Sequence, residues 1–282
     1  MSNCNRNSPS NRQSNPMPEG HTVHRIAADQ NQWFAGQKIA MFSPQGRFSS
    51  EAEALSGSRL KSVEAFGKHL FYVFSTERII HVHLGLYGKF RVHGNPPPEP
   101  RGAVRIRMIG SQKSFDLNGP NQCELIDSKK MDHIIHRLGP DPLRTDSDPH
   151  VAWKKISTST KPIGAMLLDQ TVIAGIGNIY RCEILFLLSI NPQKPSNEVN
   201  ESQFQAIWAL TCRLLEIGKI NNRIVTTVDL SDTNADAIDA KSIRRSERLN
   251  IYKKPFCPNC GDYVYYWQLA NRTVYSCDNC QK

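Results

Sequence analysis

Four cysteines near the C-terminus constrain this chain more than any other feature: Cys257-x2-Cys260-x16-Cys277-x2-Cys280. Each CxxC knuckle can offer two thiolates to one tetrahedral ion, and four thiolates with no open position make a structural zinc site. Disulfides or a redox pair are the alternative. The chain between the knuckles has to return on itself. Tyr263 to Gln268 and Thr273 to Ser276 read as the strands of a hairpin, with Leu269 to Arg272 at or near its tip. Residues 241 to 282 hold eight Lys/Arg against three Asp/Glu. A small basic zinc hairpin has few uses apart from nucleic acid.

The whole chain agrees with that partner. Its 282 residues carry a formal charge of +9, with a pI of about 9.2, which favours a polyanion over a merely solvated basic surface. No apolar run reaches membrane-helix length and no charged-then-apolar leader opens the chain. The other cysteines, Cys4, Cys123, Cys182 and Cys212, are scattered singly, unlike a secreted disulfide framework. The expectation is a soluble protein in a reducing intracellular compartment.

Taken in order, residues 1 to 17 hold five Asn and four Ser with almost nothing apolar, and are expected to be disordered. Val23, Ile26, Ala27, Gln30 and then Trp33 or Phe34 follow helical spacing up to Gly36. From Gln37 to about Glu124 the pattern changes to short strand-like runs: Lys38 to Phe42, Arg59 to Ala65, His69 to Phe74, Arg78 to Leu84, Lys89 to Val92, Ala103 to Ile109 and Ser114 to Leu117. Such a series suggests an antiparallel sandwich or barrel. In the sixth run Arg105 and Arg107 alternate with Val104, Ile106 and Met108, so both guanidinium groups are expected on one face, either solvated or meeting phosphate.

Past Leu138-Gly139-Pro140-Asp141-Pro142-Leu143 the chain turns helical. Pro162 to Leu168 and Ile179 to Ser189 flank a break at Ala174-Gly175-Ile176-Gly177-Asn178. A third helix starts at the capping-box-like Asn200-Glu201-Ser202-Gln203. Residues 226 to 250 are polar and aperiodic, and read as a linker. The resulting division is an extension over 1–17, a domain over 18–135, a helical domain over 136–225, the linker, and a zinc finger over 251–282.

Three further stretches can carry chemistry. Pro18, if it were the first residue, would hold a secondary amine; a free α-amine has a reference pKa of about 8 and can condense with a sugar aldehyde. The amides and Asn178 side chain at Gly175-Ile176-Gly177-Asn178 can hold a phosphate oxygen, although a ligand-free helix turn fits equally well. Gly67-Lys68 sits at a turn between strands, where a lysine is usually solvated. Alternating His81 and His83 lack a matched third metal ligand, so one is expected in the core and one at a phosphate. Leu86 and Tyr87, between Gly85 and Gly88, can be packed or form an apolar tip that unstacks bases.

Five motifs in this order resemble the formamidopyrimidine/endonuclease VIII family of DNA glycosylases: Pro18-Glu19-Gly20, Gly67-Lys68, Leu138 to Leu143, Gly175 to Tyr180, and the zinc knuckles with Asn271-Arg272-Thr273. Pro18 to Thr22 and Leu86-Tyr87-Gly88 lean towards the bacterial endonuclease VIII branch. The resemblance implies an α+β multidomain protein: an N-terminal helix with an antiparallel β-sandwich, a helix-two-turns-helix domain and a β-hairpin zinc finger. It implies one structural zinc held by Cys257, Cys260, Cys277 and Cys280, no organic cofactor, and a cytoplasmic, nucleoid-associated monomer acting on double-stranded DNA with damaged bases or abasic sites.

By motif match Pro18 attacks C1′ and forms an imine, and Glu19 is the general acid. Lys68 serves β-elimination and binds phosphate, while Arg272 serves δ-elimination. Asn178 and Arg272 grip the backbone; Gly177, Tyr180, Leu86, Tyr87 and Lys161 are further candidate DNA contacts. Asp116-Leu117-Asn118-Gly119-Pro120-Asn121 lacks the Arg and Phe of relatives specialised for oxidised purines, which tilts the expected substrate towards oxidised pyrimidines. An amine at Pro18 requires that residues 1 to 17 be absent, by a start at Met17 or by cleavage. The charge then falls from +9 to +7 with the loss of Arg6 and Arg12.

Overall fold

A computed structural model of the protein describes residues 18–228 and 242–282. The disorder expected over residues 1 to 17 lies outside the described residues, as does the middle of the polar stretch from 226 to 250. Beyond Glu19 the helical spacing is realised as α1, Gly20–Phe34, which buries Val23, Ala27 and Phe34. Burying a valine- or phenylalanine-sized side chain contributes about 1.5–3 kcal/mol, so this face anchors the helix to the strands beyond it.

Those strands form a sandwich. One sheet has the order β1 (Ala40–Phe42), β6 (Val104–Ile109), β7 (Lys113–Asn118), β5 (Lys89–Gly94); the other has β2 (Leu60–Phe66), β3 (His69–Phe74), β4 (Ile79–His83), β8 (Gln122–Ile126). All pairings are antiparallel. Alternating apolar residues of both sheets, among them Met41, Phe74, Ile80, Ile106 and Phe115, close on Val23 and Phe34 of α1.

Three elements here escape periodicity. Helix α2, Ser49–Leu55, is two turns long and buries only Ala52 and Leu55. Strand β8 is polar, with Gln122 exposed and only Ile126 fully buried. Helix α3, Ser128–His136, lays Met131, Ile134 and Ile135 over Phe71, Ile79 and Ile126.

The reading of Arg105 and Arg107 as a matched pair is corrected. The register shifts between Val104 and Ile106. Arg107 is 7% exposed and donates from Nε and Nη2 to the two carboxylate oxygens of Asp116 at 2.7 and 2.8 Å. A bidentate pair of this kind is committed to its carboxylate. Arg105 instead reaches Gln45 at 3.3 Å.

The helical part comprises α4 (Pro149–Ser157), α5 (Ile163–Met166), α6 (Asn178–Leu187) and α7 (Glu201–Asn221). Proline opens α4 behind an Asp148 cap, and α7 starts with the reciprocal Asn200–Gln203 capping box. Their core joins Ile163, Leu167, Ile176, Ile184, Phe204 and Leu214. Among the described residues no helix is long and apolar enough to cross a membrane.

The hairpin forms from β9 (Tyr265–Leu269) and β10 (Arg272–Ser276), joined by Ala270 and Asn271 at φ +53° and +58°. Two successive positive φ values suit a tight hairpin turn. Val264, Val274 and Tyr275 dock on Cys182 and Phe186 of α6, so the finger is packed against the helical core. The described ends of the 226–250 stretch are tied down as well. The buried Glu183 carboxylate accepts from the Thr226 hydroxyl and from the amides of Asn250, Ile251 and Tyr252 at 2.7, 2.9 and 2.8 Å.

Candidate active site

The site assembles where α1, the β2–β3 turn and the start of α6 meet. Glu19 is the N-cap of α1 with its backbone, whose carbonyl accepts from Thr22 N–H at 3.0 Å. Its side chain, 3% exposed, crosses to the other helix and accepts from Gly177 N–H at 2.7 Å and Ile179 N–H at 3.0 Å. One residue thus starts α1 and satisfies the orphan amides of α6, where the helix dipole favours an anion. Gly177 permits the approach: a Cβ there would lie 2.2 Å from Glu19 Cδ. The neighbouring turn closes the seam, with Gly20 N–H donating to Gly175 O at 2.8 Å.

Lys68 enters from the opposite side. Half-buried, it donates from Nζ to Ile176 O at 2.6 Å. Burial pulls its pKa down from 10.5 to about 8; the Glu19 carboxylate opposes the shift and the Arg272 guanidinium adds to it. Burial pushes the Glu19 carboxyl above its usual range, against the pull of Lys68 and the α6 amides. An acid raised and a lysine lowered in one enclosure mark a candidate acid–base site. The half-buried Pro18 immediately precedes Glu19.

A carboxylate that motif matching left without a role holds this enclosure shut. Asp141 is 4% exposed; its Oδ2 accepts from Gly67 N–H and from His24 Nε2, each at 2.7 Å, and its Oδ1 from Leu143 N–H at 2.9 Å. It thereby clamps the residue before Lys68 to α1 and to the chain entering the helical part. Its place within Leu138 to Leu143 was visible, but its partners lie 74 and 117 residues away.

Arg181 is the second residue that sequence reasoning missed. Fully buried, it donates to Leu269 O at 3.0 Å, Gly164 O at 3.3 Å, Arg272 O at 3.4 Å and the Asn178 side-chain oxygen. It grips both sides of the hairpin tip and sets Arg272 near Lys68. Asn178 completes the junction by donating to Thr273 O at 2.8 Å. The available signal was a charged residue inside the apolar run Ile179 to Leu187, since unpaired charge is rarely buried.

Two candidate DNA contacts, Tyr180 and Gly177, are corrected. Tyr180 faces no solvent: it is fully buried, its hydroxyl donates to Leu214 O at 3.3 Å, and His21 packs edge-on against its ring. Gly177 is likewise buried, and its amide is spent on Glu19 rather than phosphate. His81 stacks on Phe71 and bridges His69 at 2.8 Å and Glu124 at 3.1 Å, while His83 is half-buried beside His69. Leu86 and Tyr87 stand on the β4–β5 turn, 43% and 78% exposed. Lys161 presents an exposed side chain, and its carbonyl is held by Ser196.

The cysteine Sγ atoms of residues 257, 260, 277 and 280 all lie within 4.8 Å of one another. Cys257–Cys280 and Cys260–Cys277 are 3.8 and 3.5 Å apart. Tetrahedral Zn–S bonds of about 2.3 Å place sulfurs about 3.8 Å apart. The cluster fits one structural zinc, which would tie the base of the hairpin to the chain's end.

Known proteins share this arrangement. Residues 17–131 match the formamidopyrimidine-DNA glycosylase N-terminal domain and residues 138–228 the formamidopyrimidine-DNA glycosylase H2TH domain. Endonuclease 8 1 of Mycobacterium tuberculosis is 41% identical over 271 residues, covering 94% of this chain and all of that protein. Endonuclease 8 of Pectobacterium atrosepticum is 27% identical over 282 residues, with the same coverage. The fold superposes on Lactococcus lactis Fpg, solved with DNA containing an abasic site, with a TM-score of 0.76 at 23% identity over 94% of this chain and 99% of that one. With both domain profiles matched and so close a relative aligned from end to end, this chain belongs to the formamidopyrimidine-DNA glycosylase/endonuclease VIII family.

Proposed function

We propose that the protein is a base-excision-repair DNA glycosylase and abasic-site lyase that removes oxidised bases from double-stranded DNA and cuts the strand. The observation that carries this reading is the enclosure in which Glu19, held by the amides of α6, faces Lys68 beside Arg272. The Pro18 amine attacks C1′ of a flipped nucleotide, the base leaves, and an imine links the sugar to the protein. Glu19 supplies the proton for the sugar ring oxygen or the leaving base. Lys68 then serves loss of the C2′ proton as the 3′ phosphate departs, and Arg272 the second elimination. Asn178 and Arg272 grip the backbone, and Leu86 and Tyr87 enter the stack.

The mechanism needs Pro18 as the first residue. Consistent with this, the family's N-terminal profile begins at residue 17, and the endonuclease 8 relatives align over their whole length with 94% of the chain. Oxidised pyrimidines are the favoured substrates, because the 116–121 stretch carries neither Arg nor Phe. All the groups invoked come from one chain, so the monomer is the acting form. The bacterial cytoplasm, where DNA and reduced thiols coexist, is its place of work.

Borohydride trapping on abasic duplex, with mass spectrometry to locate the adduct, tests the reading. A covalent adduct on an N-terminal Pro18 is the expected result. DNA binding with no adduct would leave a non-catalytic reader of damaged DNA.

A further inference from the structure

The chain leaving β7, Asn118-Gly119-Pro120-Asn121, packs against the turn that carries Leu86 and Tyr87. Asn121 N–H donates to Leu84 O at 3.3 Å, the same carbonyl that accepts from Gly88 N–H at 3.0 Å. A Cβ on Gly85, which has φ +62°, would lie 2.6 Å from Asn121 Cβ. A Cβ on Gly119, at φ +56°, would lie 3.2 Å from Tyr87 O. Two turns that each use a left-handed glycine where they touch are nested backbone to backbone. Pro120 is buried, and Asn118 pairs with Lys89 and donates to Arg101 O at 3.2 Å, so the rear turn is rooted in its sheet. Leu86 and Tyr87 are the large apolar side chains exposed at this joint, at 43% and 78%.

We propose that Gly119-Pro120-Asn121 is a positioning brace for Leu86 and Tyr87, so that the turn carrying them enters the base stack as a rigid wedge backed by the second turn. The inference rests on the DNA-repair reading above. Parting two stacked bases pushes back on whatever is inserted. A free five-residue turn would yield to that push and lose conformational freedom on insertion, whereas a turn held from behind has already lost it. The brace also gives the 116–121 stretch a role without its own inserted side chain.

The test is the rate of strand cutting at an abasic site in duplex DNA relative to the same strand alone, where no stacked partner has to be parted. Gly85→Ala and Gly119→Ala should each lower the duplex-to-single-strand ratio by about tenfold, the scale of coupling between groups in contact. Gly57→Ala, at φ +84° with nothing within 4 Å of an added Cβ, should leave the ratio unchanged and so controls for backbone strain. Adding Asn121→Gly to Gly85→Ala makes room for the new methyl and should restore the ratio at least about threefold. An unchanged ratio in Gly85→Ala and Gly119→Ala, an equal fall in Gly57→Ala, or no recovery in the double variant would overturn the brace. A wild-type protein that cuts neither DNA would instead defeat the repair reading itself.

Discussion

Glu19 and Gly177 are joined by a 2.7 Å hydrogen bond across 158 residues of chain, and no side chain larger than hydrogen fits at residue 177 while it stands. That bond makes α6 part of the acid that α1 presents. On the proposed reading, the helical part therefore positions the acid as well as α1 does.

Gly177→Ala should accordingly behave as a Glu19 variant. With a methyl 2.2 Å from Glu19 Cδ, the carboxyl has to leave the α6 amides. Base excision should fall by about 10²-fold or more, the usual contribution of a positioned acid, while affinity for abasic duplex is largely kept. Single-turnover excision and an equilibrium binding assay separate the two effects.

Lys68 gives a pH dependence of defined sign. Its folded pKa of about 8 lies below the ordinary 10.5, so between those values the unfolded chain binds more protons and the lysine's contribution makes stability rise with pH. Below about pH 8 both states carry the proton and the buried charge is a standing cost. Lys68→Met should therefore raise the midpoint of denaturation at pH 7, have a smaller effect at pH 10.5, and impair strand cutting at both. A uniform loss of stability at the two pH values would contradict this account.

Arg181→Met should loosen the hairpin from α6. It removes the donor that the carbonyls of Leu269, Gly164 and Arg272 share, and hydrogen bonds to a charged group contribute about 1.5–3 kcal/mol each. Hydrogen exchange should quicken selectively in β9 and β10. Strand cutting should fall with it, because Arg272 loses its anchor.

Tyr180→Phe separates burial from recognition. Losing the hydroxyl bond to Leu214 O should cost about 1 kcal/mol of stability and leave DNA affinity unchanged. A large loss of affinity in a melting-neutral variant would restore the direct DNA contact that burial rules out.

Removing zinc with a strong chelator, or making Cys277→Ala, should melt the hairpin, since a structural zinc contributes folding energy to so small a unit. Trp267 fluorescence should report the loss, and binding to abasic duplex should weaken, while the sandwich core of Phe74, Ile80 and Phe115 keeps its cooperative transition.

Local chemistry by itself determined the cysteine knuckles, the α7 capping box and the main strand runs, because each depends on spacing along a short segment; Glu19, Lys68 and Arg272 stood out only through the resemblance of their motifs to a known family. Helix α2 and strand β8 stayed hidden, being too short or too polar to show a period. What tertiary structure alone decided is which groups share a space. Tyr180 and Gly177 looked available to DNA until packing buried them, and Arg107 was open to solvent or phosphate until Asp116 met it across the strand pair. Asp141 and Arg181 acquire their roles only from carbonyls and amides brought in from distant segments. A carboxylate or guanidinium looks the same in any sequence; burial and a distant partner give it a function, and neither is written in the residues beside it.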